Sequence, residues 1–299
     1  MAKRVLLVLN ARARRGASAR AAVLEALRRR GHDVIESPLP GGGGLSETIV
    51  QRSGEFDAVV IGGGDGTLMS ALDGLVRTRL PLAILPLGTF NELARTLGVP
   101  SDPHTVAALL DEGVPVPLDV GCVNGAFYMN EASVGLSTRV ARLQTGRLKR
   151  LLGMLAIPVA TLRALRWMRT LHLEVEDERG TTRRVRAVQL TVANSYRFGG
   201  VVENPDASLE DGRLWLYSID VRGPLHTLGI VLSVPLRRFA RAPDVIAVSG
   251  TRFRVRSVHA RPHRVFADSE DVARLPAEFT IVRKGIVVLV PPERVPFIR

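Results

Sequence analysis

The sequence contains a single cysteine, Cys122, among its 299 residues, so it cannot form an internal disulfide bond. This composition is typical of a protein in a reducing compartment, and we expect a cytoplasmic location. No apolar stretch reaches the roughly 18–20 uncharged residues that a membrane-spanning helix needs. The six histidines show none of the paired spacings that zinc sites use, which argues against a transition-metal enzyme.

Aromatic residues make up only 5% of the chain, and no base-stacking or groove-reading motif is present. Nucleic acid therefore ranks last among anionic partners, and we expect none. The formal net charge is nonetheless +12 at pH 7. A basic surface of this kind fits a solvated exterior, a nucleotide site or an anionic membrane surface.

The common nucleotide-binding motifs are missing as well. The dipeptide Gly-Lys does not occur, which excludes the GxxxxGK[ST] loop. No GxGxxG opens a helix with an acidic residue about twenty positions later, and the protein-kinase motifs are absent. Any nucleotide site in this chain must therefore use a different loop.

The pattern of predicted secondary structure changes near residue 117. Residues 1–117 alternate short apolar runs with helical periodicity, which predicts a layered α/β domain with a mostly parallel sheet. Its predicted strands are 5–9, 32–36, 56–61 and 82–85, and its predicted helices are 17–30, 46–52 with Ser46 as N-cap, 68–77, 91–97 and 103–112.

From residue 118 onwards strand-like segments follow one another, separated by turns. They predict an antiparallel, β-sandwich-like domain over 118–285, and the tail 286–299 is a segment that can return to the first domain. The predicted strands are 118–123, 127–132, 171–175, 185–192, 214–219, 253–258, 264–267, 279–282 and 287–290. Two mainly helical insertions, about 139–168 and 224–239, interrupt them.

The run Gly62 to Thr67, GGGDGT, directly follows the apolar segment 56–61 and precedes a helical stretch. Glycines let backbone N–H groups approach an anion, and a helix N-terminus adds the positive end of its dipole. Asp65 offers a carboxylate for Mg²⁺ beside phosphates, and Thr67 offers a hydroxyl to a phosphate or the metal. A plain strand-to-helix turn is the alternative, but three glycines before Asp-Gly-Thr favour phosphate binding.

Four further segments follow in order: PLGTFNELA at 86–94, LDVG at 118–121, DGRL at 211–214 and DSE at 268–270. With GGGDGT they resemble the diacylglycerol-kinase catalytic-domain family, bacterial lipid kinases related to sphingosine kinases and distantly to NAD kinases. The resemblance runs over nearly the whole chain. It implies a soluble enzyme that transfers the γ-phosphoryl group of ATP to a hydroxyl of a membrane lipid such as diacylglycerol or phosphatidylglycerol.

The resemblance also implies where the ligands bind. ATP is expected to contact Gly63, Gly64, Asp65, Gly66, Thr67, Leu68, Met69, Thr89, Asn91 and, near the second strand, Ser37. Asp65 is expected to work with the catalytic Mg²⁺. A second, structural divalent ion is implied at the side chain of Asp211 with the backbone oxygens of Ser208 and Arg213, although Asp211-Gly212 fits a plain β-turn equally well.

An acidic block, Asp268, Glu270 and Asp271, follows the predicted strand 264–267. Phosphoryl transfer to a hydroxyl needs an acceptor for the hydroxyl proton. The resemblance implies that Glu270 is this general base, and Asp268 is a second catalytic candidate beside it. A charged surface turn is the alternative. Ser269 stands where the family has glycine, and serine is harmless there only if its φ angle is negative.

The segment 148–168 is apolar and studded with arginine, with Pro158 interrupting it. Such a segment can lie at an anionic membrane surface or line an acyl pocket; a helix packed on the β domain is the alternative. Peripheral binding at the inner membrane face is therefore expected.

Two other functions stay open. The run GGDG and the pair Asn130-Glu131 are features of NAD kinases, and an NAD kinase-like enzyme is one alternative. Ser269, together with Glu92 where the family more often has aspartate, would suit the other alternative, an inactive nucleotide- or lipid-binding regulator.

Overall fold

The computed structural model describes residues 2–10, 16–39, 44–136, 143, 159–160, 163–164, 170–194, 197–198, 202–204, 207–219, 245–259 and 262–297. The chain groups into two compact units, Met1–Val120 with Arg283–Arg299 and Gly121–Val282. The predicted insertions 139–168 and 224–239 lie almost wholly outside the described residues. No helix within these described ranges is long and apolar enough to cross a bilayer.

Strands and helices alternate through the first part of the chain, as the apolar periodicity predicts. In order they are β1 (Arg4–Leu9), α1 (Gly16–Arg29), β2 (Asp33–Pro38), α2 (Leu45–Gln51), a 3-10 turn (Ser53–Glu55), β3 (Ala58–Gly63), α3 (Asp65–Thr78), β4 (Leu82–Pro86), α4 (Glu92–Thr96) and α5 (Pro103–Glu112). Helix α3 starts three residues before its predicted beginning, so Asp65 lies in its first turn.

After α5, apart from the helical residues 136, 143, 159–160 and 163–164, the described elements are strands, followed by one closing 3-10 helix. They are β5 (Val114–Val123), β6 (Ala126–Tyr128), β7 (Glu131–Gly135), β8 (Leu171–Asp177), β9 (Thr182–Ala187), β10 (Gln189–Ala193), β11 (Arg197–Phe198), β12 (Val202–Glu203), β13 (Leu214–Ile219), β14 (Val245–Gly250), β15 (Arg252–Ser257), β16 (Arg264–Ala267), β17 (Glu270–Arg274), β18 (Ala277–Val290) and the 3-10 helix Pro292–Phe297.

Four of the predicted strands have the wrong bounds. The predicted strand 185–192 is two strands, β9 and β10, and the predicted pair 279–282 and 287–290 is the single strand β18. The predicted strand 127–132 is likewise divided between β6 and β7. Strands β11, β12, β14 and β17 have no counterpart among the predicted strands.

In the first unit the sheet order is β2-β1-β3-β4, with all pairs parallel. The end of β18 lies beside β4, also in parallel, with Val288 opposite Leu82. Every residue of β3 is buried, because helices cover both faces of a parallel sheet. Parallel strands end at the same edge, so the loops that follow β1, β3 and β4 come together there.

Helices α2 and α3 pack closely at Gly74. A Cβ at that position would lie 2.7 Å from the carbonyl oxygen of Ser46. Ser46 itself is not the predicted N-cap of α2, because Gly44 occupies that position. Instead the Ser46 hydroxyl donates to the carbonyl of Ser70 at 2.9 Å and accepts the N–H of Gly74 at 3.0 Å. The polar side chain thus joins the two helices rather than starting one of them.

The second unit contains antiparallel pairs. One group joins β15, β8 and β9 with the first residues of β18, and a six-stranded sheet has the order β14-β13-β10-β7-β16-β17. Together with the parallel sheet of the first unit, this confirms the predicted fold class. The assignment of 118–285 as the lipid-substrate domain stays a prediction.

Candidate active site

The GGGDGT run forms the connection between β3 and α3. Strand β3 ends at Gly63, Gly64 is the N-cap, and Asp65 begins the helix. No side chain caps this helix start. The N–H groups of Thr67 and Leu68 turn back to the carbonyl of Gly64, at 3.0 and 3.2 Å. The positive end of the dipole of α3, a helix of 14 residues, therefore lies directly after the run of glycines.

The second signature loop, after β4, crosses the first at a pair of glycines. A Cβ on Gly88 would lie 2.5 Å from the Cα of Gly64, a distance that real Cβ atoms essentially never show. The N–H of Leu87 also donates to the carbonyl of Gly63 at 2.9 Å. A Cβ on Gly64 would lie 3.1 Å from the Cα of Gly88, which is tight, so glycine at position 88 above all allows the two backbones to approach this closely.

Asn91 closes the second loop on itself. Its side-chain oxygen accepts the N–H of Gly88, and its side-chain nitrogen donates to the carbonyl of Gly88, each at 2.9 Å. The residue adopts a left-handed conformation, with φ of 48°, which asparagine tolerates better than most residues. These bonds show that Asn91 shapes the loop that carries Thr89. Its predicted contact with the nucleotide stays a prediction.

Asp65 joins the two loops. Its Oδ1 accepts the N–H of Glu92, the first residue of α4, at 2.7 Å. Burial raises the pKa of the Asp65 carboxyl above its ordinary value, while backbone N–H groups, that of Glu92 foremost, act in the opposite direction. A carboxylate that accepts this bond keeps further lone pairs for a cation. The residue therefore fits the predicted Mg²⁺ ligand and also holds the second loop.

Asn10 belongs to this site, although the sequence does not reveal it. It directly follows β1, its N–H donates to the carbonyl of Gly62 at 2.8 Å, and its Nδ2 donates to the Oγ1 of Thr67 at 3.0 Å. A polar residue at the end of an apolar strand was the only available signal. Because Thr67 accepts from Asn10, its own hydroxyl proton remains available for another acceptor.

The other predicted nucleotide contacts differ in position. Gly66 and Thr89 are exposed, Met69 is half-buried, and the Leu68 side chain lies in the core. Ser37 is on β2, opposite Val8 of β1, so β1 separates Ser37 from β3. That separation is about 10 Å, two strand spacings. Ser37 is thus at the correct edge of the sheet but not beside the glycines.

In the second unit, β16 and β17 form a hairpin with the two-residue turn Asp268-Ser269. Both residues have positive φ angles, 45° and 77°. This is the geometry of a two-residue hairpin turn that favours Asn-Gly or Asp-Gly. Serine would be harmless here only with a negative φ angle, and the φ angle of Ser269 is positive.

The carboxylate of Asp268 accepts three consecutive backbone N–H groups. Met129 donates to Oδ2 at 2.7 Å, and Asn130 and Glu131 each donate to Oδ1 at 3.1 Å. The N–H of Asp268 donates in return to the carbonyl of Glu131 at 2.9 Å. These contacts give Asp268 a structural task, and its predicted catalytic role stays a prediction.

Glu270 and Asp271, adjacent in sequence, have different surroundings. Glu270 lies opposite Ala267 in the hairpin and is exposed, and its side chain forms no hydrogen bond or ion pair with the residues that the structure describes. Asp271 forms an ion pair with Arg264 across the hairpin. Of the two carboxylates, Glu270 is the one available to a substrate hydroxyl.

The structural ion is predicted at a turn in which the Asp211 carboxylate accepts backbone N–H groups. Asp211 accepts the N–H groups of Ser208 and Arg213 at 3.2 and 2.8 Å. Gly212 follows with φ of 68°. Within the described part of the chain, no group of three or more histidine, cysteine or carboxylate residues suits a metal ion. The geometry is that of a plain turn, and the ion at Asp211 stays a prediction.

The chain is similar to known proteins in sequence and in fold. Residues 4–123 match the family model described as diacylglycerol kinase catalytic domain, and residues 130–290 match the one described as YegS C-terminal NAD kinase beta sandwich-like domain. The chain is 29% identical over 245 residues to the diacylglycerol kinase of Bacillus subtilis (strain 168), which covers 80% of each chain. It is 44% identical over 100 residues to the "Probable lipid kinase YegS-like" of Pseudomonas aeruginosa (strain UCBPP-PA14), 33% of each chain.

The crystal structure of a diacylglycerol kinase from Bacillus anthracis str. Sterne has the same fold, with a TM-score of 0.73 at 19% identity over 98% of both chains. Fold and sequence together define an enzyme of the lipid kinase class. The chain belongs to the family with the YegS C-terminal NAD kinase beta sandwich-like domain, here preceded by a diacylglycerol kinase catalytic domain.

Proposed function

We propose that the chain transfers the γ-phosphoryl group of ATP to a hydroxyl of a membrane lipid, diacylglycerol or a similar glycerolipid such as phosphatidylglycerol. The crossing of the two signature loops at Gly64 and Gly88, with Asp65 joining them, carries the proposal. Relatives that are named diacylglycerol kinases support the substrate class.

The phosphates of ATP would bind at the start of α3. The N–H groups of Thr67 and Leu68 donate to the carbonyl of Gly64, but the N–H groups before them lack partners inside the helix and lie at the positive end of its dipole. Asp65 would hold Mg²⁺, which neutralises charge on the phosphates during transfer. The Thr67 hydroxyl, oriented by Asn10, would donate its proton to a phosphate oxygen.

Glu270 would accept the proton of the lipid hydroxyl. Its exposed carboxylate at the start of β17 has no described partner to displace. A base in this role contributes about 10²–10⁴-fold to the rate. Asp271, which is paired with Arg264, would remain outside the reaction.

The lipid substrate lies in a membrane, so the enzyme must bind the membrane surface. The net charge of +12 favours an anionic surface, and salt would weaken this binding because it screens exposed charges. The predicted membrane segment 148–168 lies almost wholly outside the described residues.

A labelling experiment tests the function. The purified protein is incubated with Mg²⁺ and ATP labelled at the γ-phosphate, and with mixed micelles of diacylglycerol, micelles of phosphatidylglycerol, or NAD. We expect label in a lipid product, dependent on Mg²⁺. The NAD arm is included because the second matching family is named for its likeness to NAD kinase. Label in NAD alone, or in none of the three acceptors, would contradict the proposal.

A further inference from the structure

The hairpin turn beside Glu270 contains a residue poorly suited to it. Ser269 has φ of 77°, and Asp268 before it has φ of 45°. Side chains other than glycine, asparagine and aspartate rarely adopt this left-handed region. Some other interaction must therefore hold the turn in this shape.

The Asp268 carboxylate supplies that interaction. Both of its oxygens are engaged by backbone donors, Oδ2 by Met129 at 2.7 Å and Oδ1 by Asn130 and Glu131 at 3.1 Å. Hydrogen bonds to a charged acceptor are stronger than those between neutral groups. Three of them on one side chain attach the turn firmly to the segment 129–131.

The segment that receives the turn is well anchored. Tyr128, directly before it, is fully buried. A Cβ at Gly121 would lie 2.2 Å from the Tyr128 ring, so glycine is needed there. After the segment, β7 pairs with β16, with Ala132 opposite Ala267. The clamp of Asp268 therefore connects the turn to the core of the second unit.

We propose that Asp268 is a positioning residue of this kinase: its carboxylate, bound by the backbone of 129–131, keeps the turn in the shape that presents Glu270 to the substrate. The proposal rests on the proposed function, in which Glu270 is the general base. Asp268 itself does not exchange a proton with the substrate. A misplacement of the base by about 1 Å is enough to slow a reaction about 100-fold.

The test combines two substitutions. Asp268→Asn replaces one acceptor oxygen by an NH₂ group that faces a backbone N–H, which breaks part of the clamp. We expect kcat for lipid phosphorylation to fall about 10–100-fold while KM for ATP is unchanged. Adding Ser269→Gly to this variant places Asn-Gly in the turn, the dipeptide that adopts this turn most readily. We expect the double variant to recover most of the lost kcat.

Asp271→Asn is the matched control, because it makes the same chemical change in the same hairpin at a carboxylate that forms an ion pair with Arg264. It should keep kcat near the wild-type value. Hydrogen exchange of the amides of 129–131 provides a readout that does not depend on catalysis. Exchange should become faster in Asp268→Asn and remain slow in the control.

Two results would overturn the proposal. If the double variant is folded but as slow as Asp268→Asn alone, the carboxylate itself takes part in the chemistry. If Asp268→Asn changes neither kcat nor the exchange of 129–131, the clamp positions nothing. Glu270→Gln distinguishes a failure of the proposed function: full activity in that variant removes the base assignment, while the exchange experiment still decides whether the clamp exists.

Discussion

The turn after β3 in the first unit and the turn after β16 in the second each follow a buried strand and carry a carboxylate to which we assign a role in catalysis. The first turn depends on glycines, because Gly64 and Gly88 lie nearly in backbone contact and leave little room for side chains. The second has side chains at both turn positions, and the Asp268 carboxylate holds it. Glycines in two short motifs thus allow the first turn, and a side-chain clamp that spans more than 130 positions holds the second.

The largest expected effect concerns the carboxylate of the glycine turn. Asp65→Asn should lower kcat about 10³-fold or more, because it removes both a Mg²⁺ ligand and a charged acceptor for the N–H of Glu92. The measurement is a steady-state assay with lipid micelles. Asp73→Asn is the matched control on the same helix, where Asp73 forms an exposed ion pair with Arg77. Wild-type turnover in a folded Asp65→Asn protein would disprove the assignment.

A smaller effect is expected where the loops cross. Gly88→Ala places a Cβ 2.5 Å from the Cα of Gly64, so the backbones must separate. Overpacking of this kind costs about 1–3 kcal/mol of stability. Because the displaced backbone belongs to the turn that would bind the phosphates, we also expect ATP affinity, measured by calorimetry, to fall. Gly54→Ala is the control, because no atom lies within 4 Å of a Cβ there. Equal ATP affinities in the two variants would show that the crossing is not needed for binding.

Asn10→Ala should have a milder effect, because it removes one hydrogen bond to the Thr67 hydroxyl. A net loss of about 0.5–1.5 kcal/mol predicts an increase of roughly 2–10-fold in KM for ATP. The measurement is an ATP titration at saturating lipid. An unchanged KM would mean that Thr67 is oriented without Asn10 or does not contact ATP.

The smallest effect concerns stability. Ser269→Gly relieves the positive φ angle of 77°, which costs a non-glycine residue about 1–2 kcal/mol, partly offset by the greater chain entropy of glycine. We expect a gain of about 0.5–1 kcal/mol, seen as a rise of roughly 2 °C in the melting temperature. A lower melting temperature would show that the serine hydroxyl compensates for the strain.

These two turns also show what the sequence could reveal. Helix α5 and strands β13 and β16 have the predicted bounds, since their apolar patterns and flanking Pro, Gly or Asp residues are local signals. The GGGDGT turn was recognisable for the same reason. Strand β17, EDVAR, escaped prediction because an edge strand rich in charge lacks apolar alternation.

The contacts that join distant segments could not be predicted. The clamp between Asp268 and Met129–Glu131 spans more than 130 positions, and Asn10 meets Thr67 only because β1 and β3 are parallel neighbours. Ser46 shows the same limit, since a serine before a helix predicts a cap, and only the packing of α2 on α3 redirects its hydroxyl.

The central claim is that this chain phosphorylates a lipid hydroxyl with Glu270 as the base. The most direct test compares Glu270→Gln with Asp271→Asn in the labelled-ATP assay with lipid micelles, with ATP binding measured in both. We predict that Glu270→Gln loses about 10²–10⁴-fold in kcat and still binds ATP, while Asp271→Asn retains nearly full activity. The reverse pattern, with Asp271 essential and Glu270 dispensable, would contradict the account.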